Sequence, residues 1–128
     1  MDCPACGTAT VRGAVPGAYR EYAPDESDAV AVCRRCLTVT ACEDAESDPN
    51  WRAISDALPA DDRAVPTLLL VGLLDSLATN RGAIADLLAA LERDGVDAFA
   101  TIDRLAADPD LEPAVDLGRR RHQLEQLL

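Results

Sequence analysis

Two apolar periodicities divide the chain. Through residue 43 the apolar positions fall in short β-prone runs, Thr8 to Val15, Ala29 to Val32 and Leu37-Thr38-Val39-Thr40. Turn signals at Pro16-Gly17 and Pro24-Asp25-Glu26-Ser27-Asp28 separate them. Tyr19-Arg20-Glu21-Tyr22 alternates, with both tyrosines on one face, and reads as part of the same ribbon of three or four short strands. Residues 44–50 are acidic, carry Pro49 and show no periodicity, so they read as a linker. From residue 51 the spacing becomes helical.

Five helical segments follow. The first runs from Trp51 to Leu58, with Asp48 or Asn50 as cap and Pro59 as stop, and places Trp51, Ile54 and Leu58 on one face. A second opens at Asp61 or Asp62, tolerates Pro66 in its first turn and is apolar nearly all round from Leu68 to Leu77. Such a helix belongs at the centre of its bundle. The third, capped by Asn80 and ending at Gly95, carries Ile84, Leu87, Leu88 and Leu91 at i, i+3, i+4, i+7. Asp97 caps a fourth, with Phe99, Ile102 and Leu105 inward and Asp108-Pro109 as its end. Asp116 begins a fifth, whose Leu117, Leu124 and Leu128 share a side with Arg121. The expected class is α+β: an N-terminal four-cysteine ribbon of short antiparallel strands (1–43), an acidic linker (44–50) and a Leu/Ala-rich helical bundle of four to five helices (51–128).

The chemistry is concentrated in the ribbon. Cys3 and Cys6 form one C-x-x-C pair and Cys33 and Cys36 another, 26 residues apart, the spacing of a tetrahedral four-thiolate zinc site with one ion per chain. Pro4 and Gly7 suit the tight turn of the first pair. In the second pair Arg34 and Arg35 offset the charge of about −2 left by four thiolates around one Zn²⁺. A ribbon near forty residues long is at the size where folding calls for metal or disulfides, so zinc is expected to hold the fold rather than to catalyse. Disulfides or a redox dithiol are the competing readings. Asp2 and Cys3 stand where a secretory signal would place basic and apolar residues, which predicts a reducing, cytoplasmic setting. Cys42 lies outside both pairs and reads as a partly buried free thiol.

Composition changes the picture in one respect. All 12 basic residues are Arg, acidic residues number 23 and the formal charge is −11. Surface carboxylates at this density predict adaptation to molar salt, where a Debye length of about 3 Å screens their repulsion. An acidic balance ordinarily argues against nucleic acid, but in a salt-rich cytosol that argument loses force. No apolar run reaches the ~20 residues a membrane span requires.

Other constellations carry less. Tyr19 and Tyr22 suit either base stacking or the packing of a small sheet, and packing is preferred. Arg119-Arg120-Arg121-His122 reads as a solvated helix face. His122 is the one histidine, so no histidine pair exists. A helix-turn-helix reading of 94–105 fails on its reading helix, where Asp103 stands among residues that should contact bases. The aspartates Asp61, Asp62, Asp75 and Asp86 accompany no nucleophile or phosphate loop, so no catalytic constellation is found.

Over its full length the chain resembles an uncharacterised haloarchaeal family of small zinc-ribbon proteins, of the domain-of-unknown-function type. The likeness runs through Cys3-Pro4-Ala5-Cys6-Gly7, Cys33-Arg34-Arg35-Cys36-Leu37, Leu73-Leu74-Asp75-Ser76-Leu77 and the C-terminal segment from Arg119 to Leu128. It implies a metal and a salt-rich habitat, and no activity. The sequence thus predicts a non-enzymatic zinc-binding adaptor with a protein partner, which contacts it through Leu127 and Leu128 or uncovered apolar faces. The alternative is a ribbon touching nucleic acid or the ribosome through Arg12, Arg20, Arg34, Arg35, Tyr19 and Tyr22; a thiol enzyme using Cys42 comes last.

Overall fold

A computed structural model of the chain describes residues 2–127. It is an α+β protein with three antiparallel strands near its N-terminus and four α-helices after them. The strands are β1 (Thr10–Ala14), β2 (Ala29–Cys33) and β3 (Val39–Ala41), in the order β1-β2-β3. Val11 lies opposite Val32 and Gly13 opposite Val30. This puts the valines on one face, while Thr10, Ala31 and Cys33 look the other way. Every residue of the central strand is buried.

The sheet's valine face and the helices share one core. Val11, Val15, Val30, Val32 and Leu37 belong to the same apolar cluster as Trp51, Leu58 and the helix leucines. Gly13 lets Trp51 lie against the sheet: a Cβ there would overlap the Trp51 ring, so only glycine admits the indole against β1. The outer edge of β1 is covered by the acidic segment, where Glu46 N–H donates to Arg12 carbonyl at 3.1 Å. In return Arg12 N–H donates to the Glu46 carboxylate at 3.2 Å.

The helices are α1 (Ala64–Leu73), α2 (Leu77–Arg93), α3 (Ala98–Ala107) and α4 (Leu117–Leu127). As the all-round apolar pattern predicts, α1 is the enclosed one, buried from Ala64 to Val71. Ile84, Leu87 and Leu91 of α2 are buried and Leu88 packs against them from a half-buried position. Asp97 caps α3, its carboxylate accepting from Ala100 N–H at 3.1 Å. Ile102 and Leu105 point inward, whereas Phe99 is half-buried under Arg121, whose guanidinium lies 5.0 Å from the ring centre. Leu117 and Leu124 anchor α4, and Leu128, expected beside them, lies outside the described residues.

Three local expectations are corrected. Residues 51–58 form no α-helix: a 3-10 turn covers Trp51–Ala53. The hydroxyl of Ser55 then accepts from Ala57 N–H at 3.2 Å, taking a donor that a helix would need. Tyr19 and Tyr22 lie in a 3-10 helix, Gly17–Tyr22, instead of a strand. Residues three apart eclipse in that geometry, which puts both rings on one side. Lastly, the apolar run 68–77 is cut between α1 and α2, so Asn80 sits inside α2 and caps nothing at its start. Its side-chain amide instead donates to Leu73 carbonyl at 2.9 Å, closing the end of α1.

Candidate metal centre

Pairing of Thr10 with Cys33 brings the two C-x-x-C segments to one end of the β1–β2 hairpin. Both turns have the same construction. Cys3 N–H donates to Thr8 carbonyl at 2.8 Å and Cys33 N–H to Thr38 carbonyl at 3.0 Å. The residue after the second cysteine is left-handed in each, Gly7 at φ 77° and Leu37 at φ 63°. For glycine that conformation is free of strain, whereas for leucine it costs about 1–2 kcal/mol, which the burial of its side chain offsets. A threonine follows and sets its hydroxyl on sulfur: Thr8 lies 3.5 Å from Cys6 Sγ and Thr38 lies 3.0 Å from Cys36 Sγ.

Main-chain donors also aim at the sulfurs. Ala5 N–H donates to Cys3 Sγ at 3.4 Å, while Arg35 and Cys36 N–H donate to Cys33 Sγ at 3.4 and 3.3 Å. Such donors favour thiolates. All four Sγ atoms lie within 4.8 Å of one another. Three of the separations are 3.4 Å (Cys6 to Cys33), 3.6 Å (Cys3 to Cys36) and 3.7 Å (Cys6 to Cys36). Four sulfurs each about 2.3 Å from one ion at tetrahedral corners would be about 3.8 Å apart. The cluster therefore has the size and donor set of a four-thiolate site, which suits zinc or iron. All five cysteines are free thiols, so the disulfide reading does not describe this structure.

The thiols differ in how readily they ionise. Burial pushes Cys33 up, to about 12, against the N–H groups of Cys36 and Arg35. Cys6 is drawn down to about 6, chiefly by the Thr8 hydroxyl. At Cys3 the rise from burial is outweighed by the N–H groups of Cys6 and Ala5 and by the neighbouring sulfurs, and the net direction is down. A bound dication would favour the thiolate at all four positions.

The second turn is strapped to the helical part. Glu112 N–H donates to Arg35 carbonyl at 2.8 Å and Ala114 N–H to Cys36 carbonyl at 3.0 Å. A salt bridge of 2.8 Å from Arg35 to Glu112 runs alongside. The segment between α3 and α4 thus covers one side of the centre, and Cys3, Cys33 and Cys36 are buried while Cys6 is exposed.

The other singled-out residues are scattered. Arg34 is exposed, and the Arg12 guanidinium donates to Asp44 carbonyl, that of Arg20 to Val15 carbonyl. Tyr19 and Tyr22 turn toward the helices and donate their hydroxyls to Asp94 at 3.2 Å and Asp86 at 3.5 Å. Burial and then Asp94 raise the Tyr19 phenol above its ordinary range. Cys42 is half-buried outside the cluster, its thiol donating to Asp44 carbonyl at 3.7 Å, and burial raises it. His122 is exposed on α4.

Sequence reasoning passed over Leu37, Thr8 and Thr38 as parts of the centre. A signal was available: Cys-x-x-Cys-x-Thr occurs twice, at 3–8 and at 33–38. The strap by Glu112 and Ala114 had none, because two main-chain donors far along the chain leave no trace in side-chain pattern.

Among curated proteins and among solved structures, none matches this chain. Residues 2–128 match a family described as a family of unknown function, DUF6276. Since the match extends over nearly the whole length, the protein belongs to that family.

Proposed function

We propose that the chain is a non-catalytic zinc-binding protein that works as a protein–protein adaptor in a salt-rich cytosol. The carrying observation is the closed cluster of Cys3, Cys6, Cys33 and Cys36, with all Sγ atoms within 4.8 Å. Four thiolates fill the four positions of a structural zinc and leave none for a reacting water. The hollow that touches the cluster is small, about 180 Å³, and its walls include Leu37, Val39, Val71, Pro113 and Leu117. Substrate sites are larger, on the order of 300–1,000 Å³. Leu127, 37% exposed, is the large apolar side chain that the described residues present to solvent.

Metal analysis of the purified chain should give one zinc ion per chain; a metal-free, folded protein overturns the reading. Retrieval of partners at native salt should recover protein. Recovery of nucleic acid or ribosomes alone, abolished by Arg34→Ala with Arg35→Ala, favours instead the alternative in which exposed Arg34 beside the centre meets phosphate. The salt-rich setting rests on the charge of −11. Thermal melting should rise between dilute buffer and molar KCl, as screening removes carboxylate repulsion.

A further inference from the structure

The four sulfurs are not equally protected. Cys3, Cys33 and Cys36 are buried, with Cys33 at 0% exposure, and Cys6 alone of the four is exposed. The Cys6 sulfur lies 3.4 Å from that of Cys33 and 3.7 Å from that of Cys36. Thiolate oxidation follows exposure and thiolate character. An oxidant arriving from solvent therefore meets one ligand of the centre first, and that ligand already has a resolving sulfur beside it.

We propose that Cys6 is the point at which hydroperoxides oxidise the centre, and that a Cys6–Cys33 disulfide forms with release of the metal. The inference rests on the reading of the cluster as a zinc site. In the first step the Cys6 thiolate attacks one peroxide oxygen, the O–O bond breaks, and Cys6 sulfenic acid and hydroxide form. In the second step the Cys33 thiolate attacks the Cys6 sulfur; the S–S bond forms as hydroxide leaves. Two thiolates have then lost two electrons in all and one peroxide has become two hydroxide ions. Cys3 and Cys36 remain as the only thiolates at the site, half of what a structural zinc requires. Thiol reductant and zinc reverse the change.

The test uses the full chain carrying Cys42→Ser, loaded with zinc and exposed to hydrogen peroxide. A chromogenic chelator follows metal release, peptide mass spectrometry locates disulfides, and a 1,3-diketone traps sulfenic acid. The expected result is loss of the bound zinc in step with peroxide consumed, a Cys6–Cys33 disulfide, diketone adduct on Cys6, and recovery of zinc binding after reduction. Retention of zinc in excess peroxide overturns the proposal, as does first adduct formation on Cys3, Cys33 or Cys36, or a disulfide that omits Cys6. A Cys6–Cys36 disulfide keeps Cys6 as the point of attack and overturns Cys33 as its partner. A chain that takes up no zinc overturns the proposed function as well, whereas a zinc-loaded chain inert to peroxide overturns this inference alone.

Discussion

The two cysteine turns repeat one backbone plan and meet very different surroundings. In the first, Cys6 and Gly7 face solvent and nothing lies within 4 Å of where a Gly7 side chain would begin. In the second, Leu37 is 3% exposed within the main core and the carbonyls of Arg35 and Cys36 receive donors from the α3–α4 connection. The same six-residue frame thus serves as an open flap on one side of the centre and as a keystone on the other. What differs is the neighbour each turn is given, and hence how far damage to it should spread.

The largest expected effect comes from attacking the keystone. Cys33→Ala should abolish metal binding and unfold the sheet, because metal supplies on the order of 10 kcal/mol to small thiolate modules. Amide exchange should show the loss reaching α4 through the strap; protection of α4 equal to that of the wild type would refute the coupling. Next comes the contact that joins sheet to helices. Gly13→Ala forces a Cβ into the Trp51 ring and should cost about 1–3 kcal/mol as overpacking. Denaturant unfolding followed by the emission of Trp51, the one tryptophan, measures it. Gly7→Ala is milder. Only backbone strain acts there, about 1–2 kcal/mol, with no clash; a cost as large as that of Cys33→Ala would mean that the open turn is not open.

Smaller still is the effect of pH on the open side. Cys6 is lowered from 9.0 to about 6, so it binds fewer protons folded than unfolded. Its contribution to stability is therefore present in full above pH 9 and fades as pH falls through about 6. Metal retention should follow the same direction and weaken on acidification. Thr8→Val removes the main cause of the lowering and should move metal release to higher pH, read by chelator titration. No movement would separate the Thr8 hydroxyl from the thiol's behaviour.

Much of the architecture was legible where a physical requirement forces a residue type. Four thiolates need four cysteines at turn spacing, a helix face needs Ile84, Leu87 and Leu91 in step, and the start of α3 needs an acceptor such as Asp97. Harder to read were places where side chain and backbone compete. Ser55 and Asn80 hydrogen-bond to nearby main chain and redraw helix boundaries that apolar spacing alone would extend. Leu37 was read for its β-prone side chain, while its backbone took the left-handed form that glycine announces openly at position 7. Of the candidate centre the four clustered cysteines were visible and the cover was not. Arg35 and Glu112 are 77 positions apart, beyond the reach of any local pattern.

That separation bears on how the chain is made. A nascent polypeptide would release both cysteine pairs, and so complete the metal cage, well before residues 112–114 emerge to cover one side of it. During synthesis the cage would be accessible from both sides, which is when loading it should be easiest. Once residues 112–114 are in place, Cys6 is the one of the four cysteines left exposed.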